Sequence, residues 1–257
     1  MSIEKLEYPS NIFANFEDEF EKFKAKNPQS LIMKYYEGKY TNIKHSRNSK
    51  DYETIGPFKG KNVNGPTFVM YGQNNFYFGI VVEGVKQGDG YHLFPNGFLF
   101  KGRYSKDMKS EGKVIDTRDG KDIYVGSWGN DNYRGEGWLR NPFNDYLYEG
   151  RFIDGLFEGH GKLTFDDQTY YEGNFSRGEK NGHGKLHYKN YEFEGQFVNG
   201  VPHGRGTIIF NSGEKYTGEF ENGRISGSGK LINSNLTIDG TWIDGNFKSG
   251  SYTILPN

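Results

Sequence analysis

Three histidines are the first residues to weigh for chemistry, because imidazole is a common zinc ligand. His160 and His183 share one position of a repeating pattern, and His203 falls one column over in the next unit. They fill positions where the pattern needs a turn, and the chain has no cysteine to complete a thiolate site. No metal and no cofactor are expected from them. Gly161-Lys162, Gly184-Lys185 and Gly229-Lys230 look like the tail of a phosphate loop. A phosphate loop needs glycine five residues before the second glycine, then Ser or Thr after the lysine at the head of a helix. Leu156, Glu179 and Arg224 hold that earlier position, and leucine follows each lysine. These segments therefore read as turns of a repeat. Glu149, Glu172 and Glu194 lie in one polar column, opposite a column with Lys162 and Lys185. Pairing across each hairpin would set Glu149 against Lys162 and Glu172 against Lys185, which relieves like-charge repulsion between units. Catalytic carboxylates need a cleft that drives their pKa values apart, and an open sheet has none. No Ser-His-Asp set or nucleophile elbow appears, so the chain reads as non-enzymatic.

The elements that carry these residues follow from a glycine ladder. The glycines of the aromatic-x-Gly triplets are Gly38, Gly60, Gly79, Gly102, Gly126, Gly150, Gly173, Gly195, Gly218 and Gly240, with Ile238 replacing the ring in the last. Their successive differences are 22, 19, 23, 24, 24, 23, 22, 23 and 22, a period that marks a repeat architecture. Two residues before each glycine stands a large side chain, such as Tyr124, Tyr148, Tyr171, Phe193 or Tyr216, and two after it stands another, such as Trp128, Phe152, Phe175, Phe197 or Phe220. Large–Gly–large at spacing two is one face of a strand. Further glycines at +5, +9 and +11, complete in Gly155/Gly159/Gly161 and four other units, bracket a turn before the alternation resumes. Each unit is thus a β-hairpin. One hairpin is marginal in water, and stacking many buries a continuous aromatic stripe. The units at 36, 58 and 238 are degenerate, and that at 100–112 is weakened, because Asp107 and Glu111 replace glycines.

Composition agrees. Glycine occurs 37 times, aromatics make up 17%, and alanine appears only as Ala14 and Ala25, which disfavours helix and favours strands joined by tight turns. Net charge is −1, so no global basic field points to nucleic acid. The first residues carry no apolar leader pattern. One segment differs. Phe13, Phe16, Phe20 and Phe23 are spaced along a single helical face within residues 10–27, with acids first and lysines after. This short N-terminal α-helix either caps the open edge of the array or docks in a partner's groove. Residues 41–56 are polar and read as a loop.

Tyr148-Glu-Gly-Arg-Phe152 through Gly161, Tyr171-Glu-Gly-Asn-Phe175 through Gly184, and Phe193-Glu-Gly-Gln-Phe197 through Gly206 resemble the MORN (membrane occupation and recognition nexus) repeat, and the likeness runs over residues 77–231. The expected fold class is all-β: an elongated single antiparallel twisted sheet of stacked hairpins, with residues 1–30 as the helical segment and 31–257 as an array of about ten units. MORN proteins without other domains resemble radial-spoke-head and other axonemal or cytoskeletal components. The resemblance therefore implies a non-catalytic scaffold in a large assembly, cytoplasmic and cytoskeletal, in a cilium or flagellum axoneme. Its partners would be other proteins of that assembly and not nucleic acid. Two alternatives stay open: a peripheral membrane or phosphoinositide-binding module, and a regulatory subunit of a partner enzyme. The repeat fills the sequence past Trp242 and leaves no room for a catalytic domain within it.

Overall fold

The computed structural model describes residues 43–47, 53–59, 62–72, 75–166 and 169–255. The N-terminal segment with Phe13, Phe16, Phe20 and Phe23, and the first unit around Tyr36, lie outside them. The described residues are all-β, with antiparallel strand pairing and no helix among them. The chain divides into two compact units, one ending at Asp122 and the other beginning at Ile123.

The first unit holds β1 (Ile43–Arg47), β2 (Glu53–Lys59), β3 (Asn62–Val63), β4 (Gly65–Gly72), β5 (Asn75–Val82), β6 (Val85–Leu93), β7 (Phe98–Ser105) and β8 (Met108–Asp116). Strand β2 pairs with β1, β3 and β4, and the ladder then runs in order to β8. The second unit holds β9 (Asp122–Gly129), β10 (Asn132–Asn141), β11 (Tyr146–Ile153), β12 (Leu156–Asp166), β13 (Thr169–Ser176), β14 (Glu179–Tyr188), β15 (Tyr191–Val198), β16 (Val201–Phe210), β17 (Lys215–Glu221), β18 (Arg224–Ile232), β19 (Leu236–Ile243) and β20 (Asn246–Ile254). Each of these pairs with the next.

The glycine ladder becomes a row that crosses the strands. In the second unit Gly126 faces Gly137, which faces Gly150, which faces Gly161, and the row continues through Gly173 and Gly184 to Gly240 and Gly250. From Gly126 to Gly229 the ring two residues upstream lies across each hairpin's glycine pair. A methyl built on Gly161 would sit 2.5 Å from the Tyr148 hydroxyl oxygen and 2.7 Å from Cε2. The tyrosine is held there at both ends. Its backbone belongs to the strand, and its hydroxyl donates to the carbonyl of Arg151 at 3.0 Å. Tyr77, Tyr124, Tyr171 and Tyr216 do the same to Ile80, Ser127, Asn174 and Glu219, at 3.0, 2.7, 2.9 and 3.3 Å. The register explains why those carbonyls accept. Gly150 faces Gly161 while Arg151 faces Glu158, so Gly159 and His160 form a bulge that interrupts the ladder beside the accepting residue. Where Phe100 replaces tyrosine, the corresponding carbonyl of Arg103 takes the Ser110 hydroxyl at 3.2 Å instead.

The hairpin turns carry positive φ at both central residues, as in Asp154 (49°) and Gly155 (83°). That is the type I′ geometry whose twist matches the strands. Turns also reach the hairpin before them: the N–H of Gly155 donates to Tyr133 O at 2.9 Å, and that of Gly178 to Phe157 O at 2.9 Å.

Four details differ from the sequence reading. Residues 43–47 and 53–57 pair as a hairpin rather than forming a loop; ladder bonds come from the backbone, and polar side chains do not prevent them. In that hairpin Gly56 joins the glycine row, and Gly60 lies outside the described residues. Gly56 lies 23 residues before Gly79, and a Cβ on it would meet Thr67 Oγ1 at 2.9 Å. The unit at 100–112 is shorter, not weaker: Gly112 faces Gly102 one residue earlier than the usual +11, and Gly250 does the same for Gly240. The Asp107 turn keeps left-handed φ, 49° at Lys106 and 67° at Asp107, and the Asp107 carboxylate accepts the Lys86 N–H at 2.8 Å. Finally, β5 is not polar between its rings. Phe78, in the position that Glu149 holds later, is 2% exposed and faces the equally enclosed Phe68 (1%).

Candidate interaction surface

The two faces of the hairpins in the second unit differ in what they leave available. On the ring face, aromatic packing is internal. Tyr148 meets Phe152 and Phe175 edge-on at 5.1 and 5.2 Å, and Tyr171 meets Phe197 at 4.9 Å. Three of the first rings are also covered by the residue seven past the glycine. Phe157 stacks on Tyr148 at 3.7 Å and Tyr133 on Tyr124 at 3.8 Å, while Lys180 Nζ lies 5.3 Å above Tyr171. Burial among rings lowers the Lys180 pKa, since desolvation disfavours the ammonium. Burial raises the Tyr171 pKa to about 12 and those of Tyr124 and Tyr148 further. These tyrosines are packing residues, neutral at physiological pH.

The opposite face carries the polar column. Glu149 faces Lys162, Lys162 faces Glu172, and the row continues through Lys185, Glu194, Thr207, Thr217 and Lys230 to Asp239. The expected register is therefore present. The closest ionic contact is diagonal to it. Lys185 Nζ lies 2.7 Å from Glu192 Oε1; the hydrogen bond between them lowers the Glu192 pKa and raises that of Lys185. Both are partly exposed, so the pair is worth under about 1 kcal/mol. Lys162 places Nζ 4.9 Å above the Tyr170 ring. Between β14 and β19 this face forms a trough of about 690 Å³ lined by residues that include Glu194, Arg205, Lys215, Lys230 and Asp239, a lining of mixed sign. His160 and His183 stand on this face, opposite Asn174 and Gln196. Among the described residues no three His, Cys, Asp or Glu are grouped to hold a metal.

One place breaks the polar column. Trp138 sits between Val125 and Glu149 in register, twelve residues after Gly126, where the next two hairpins have Lys162 and Lys185. Beside it lies a cavity of about 450 Å³ lined by Trp138, Arg140, Asp145, Leu147, Glu149 and Phe165 among others. The signal in the sequence is a tryptophan where the next two hairpins have lysine, which the repeat pattern alone does not single out. The candidate docking residues Phe13, Phe16, Phe20 and Phe23 lie outside the described residues and are not placed against it. No helix among the described residues is long and apolar enough to cross a membrane.

The MORN repeat family model matches residues 148–170, 171–192, 193–215 and 216–237. Each match starts on the ring that covers a glycine pair: Tyr148, Tyr171, Phe193 and Tyr216. A search of curated proteins finds no match. The structure carries the same ring-over-glycine hairpin beyond the matched residues, at Tyr77, Phe100 and Tyr124.

Proposed function

We propose that this chain, with its four MORN repeats at residues 148–237, is a non-catalytic scaffold whose hairpin array holds other proteins in a large assembly. The observation that carries the reading is the division between the faces. The ring face of each hairpin is closed by its neighbours, and the opposite face presents exposed side chains that change from strand to strand. A fold built this way displays contacts along its sheet. The resemblance to axonemal MORN proteins supports a cytoskeletal setting, in the cytoplasm and within a cilium or flagellum.

A membrane-surface role needs a face of one sign. Alternation of Glu149, Lys162, Glu172, Lys185 and Glu194 along the exposed row favours protein contact instead. The test is native capture of the tagged full-length chain with mass spectrometry, run beside flotation on vesicles containing anionic lipid. Stoichiometric co-purification of cytoskeletal subunits, with no flotation, is the expected result. Flotation that disappears at high salt, with no protein partner, would overturn the scaffold reading. Co-purification of a kinase or transferase activity would instead make the chain an enzyme's regulatory subunit.

A further inference from the structure

The exposed face of the second unit changes character over β9 to β12. From Glu149 onward its central row is charged or hydroxylated, but Val125 and Trp138 occupy the same row before it. Leu147 lies in the neighbouring row, opposite Arg140 and Thr164. The resulting cavity, about 450 Å³, has an apolar floor beside a central row that is charged or hydroxylated from Glu149 onward. The turn at its rim holds a second ring outward. Phe143 is 73% exposed, and the N–H groups of Phe143 and Asn144 both donate to Asn141 Oδ1, at 2.9 and 3.0 Å. A pinned turn that keeps phenylalanine in water beside a tryptophan-lined cavity has the composition of a protein-binding hot spot.

The rim decides the kind of occupant. Asp145 and Glu149 line the cavity, and no described residue forms a salt bridge or hydrogen bond with either carboxylate. Lys162, which faces Glu149 in register, is instead over Tyr170. Arg140 lines the same cavity, so two carboxylates against one guanidinium leave the lining net negative, and next to a tryptophan face that charge calls for a cation held by charge and by the ring together.

We propose that this cavity docks an extended segment of a partner protein, with an apolar side chain against Trp138 and Leu147 and a basic side chain between Asp145 and Glu149. The proposal rests on the scaffold reading and adds the chemistry of one partner. In an extended segment, residues two apart point the same way and lie roughly 7 Å from each other, so an apolar-x-basic triplet spans the site.

The probes are short acetylated peptides with Leu-Ser-Arg, Leu-Ser-Glu or Ser-Ser-Arg at their centre. They are titrated against the full chain while tryptophan emission is read, with Trp138→Phe assigning the signal. Leu-Ser-Arg should bind at least about tenfold tighter than either control, and Glu149→Gln with Asp145→Asn should remove its margin over Leu-Ser-Glu, an effect of about 1.4 kcal/mol. Equal binding of the three peptides, or an unchanged margin in the double variant, would overturn the proposal. So would tighter peptide binding after Phe16→Ser with Phe20→Ser, which would give the cavity to the chain's own N-terminal segment. The two readings separate cleanly. Native capture of the same assembly by wild type and Trp138→Phe, with no peptide preference, removes this site and leaves the scaffold function standing.

Discussion

Gly161→Ala should be far more damaging than its single methyl suggests, and the structure says why. That methyl would lie 2.5 Å from the Tyr148 hydroxyl oxygen, 2.7 Å from Cε2 and 2.8 Å from Cζ. Ordinary contact begins near 3.4 Å, so the ring must move by several tenths of an ångström. It has nowhere to go. Tyr148 is fully enclosed, stacked on Phe157 at 3.7 Å and flanked edge-on by Phe152 and Phe175. Overpacking of this kind costs about 1–3 kcal/mol, and lifting the ring also breaks its bond to Arg151 O, about 0.5–1.5 kcal/mol more. A total near 2–4 kcal/mol would lower Tm by roughly 5–12 °C for a unit of this size. Gly155 and Gly159 provide the control within the same hairpin. A methyl on either meets nothing within 4 Å, and the difficulty is a φ of 83° or 68°. Alanine there costs about 1–2 kcal/mol through the left-handed backbone, and asparagine should recover part of it, whereas asparagine at Gly161 should be no better than alanine. Urea and thermal unfolding of the full chain measure the series. A double-mutant cycle with Tyr148→Leu should show coupling above about 1 kcal/mol, as contacting residues do. Equal losses at Gly155 and Gly161, rescue of both by asparagine, or an additive cycle would refute the reasoning.

Other outcomes follow from the same geometry. Gly173→Val places its Cβ 2.6 Å from the Tyr171 hydroxyl and 2.8 Å from His183 O; it should lower Tm clearly, while Glu149→Ala, on the exposed face, should change stability by only a few tenths of a kcal/mol. Tyr171→Phe removes the bond to Asn174 O at 2.9 Å and should cost about 0.5–1.5 kcal/mol, which chemical denaturation resolves. Burial raises the Tyr171 pKa to about 12, against about 10 when unfolded. A raised folded pKa stabilises fully below the unfolded value, so stability should hold up to about pH 10 and fall between there and pH 12. Tyrosinate absorbance from these rings should then appear together with loss of the β circular dichroism signal; their ionisation near pH 10 with the sheet intact would contradict it. Deleting residues 1–30 should lower Tm and promote aggregation if Phe13, Phe16, Phe20 and Phe23 cap the array, whereas an unchanged melting curve with lost partner binding would make them a docking face.

The repeat was legible because its physics is local. A ring two residues from a glycine, both on one strand face, is a statement about spacing, and spacing is what a sequence displays. The pairing of Glu149 with Lys162 was legible for the same reason, since the turn length sets the register. What was not legible depends on the partner strand. Gly56 and Gly60 are both plausible ladder glycines in sequence, and only the pairing of β2 with β4 puts Gly56 against Thr67. Gly112 looked displaced until the bulge in its hairpin proved one residue shorter. The diagonal choice of Lys185 for Glu192 over Glu194 is a side-chain rotamer matter that no register decides.

The position seven past each ladder glycine shows how such a fold can keep its architecture while changing its surface. It holds Lys86, Lys109, Tyr133, Phe157, Lys180, Pro202, Ile225 and Phe247. Its structural task is to lie over the neighbouring ring, and several chemistries do that. Phe157 stacks, and Lys86 sets its ammonium 4.9 Å from the Tyr77 centroid. Its backbone task is independent of side chain, because the carbonyls of Tyr133, Phe157, Lys180, Pro202 and Ile225 all accept the N–H of the next hairpin's turn glycine. Even proline serves, since accepting needs no N–H of its own. The glycine row and the rings tolerate little substitution, but this position and the exposed column are free to vary. Trp138, which stands where the next two hairpins have Lys162 and Lys185, is therefore not required by the hairpin, and the proposed docking site would account for it.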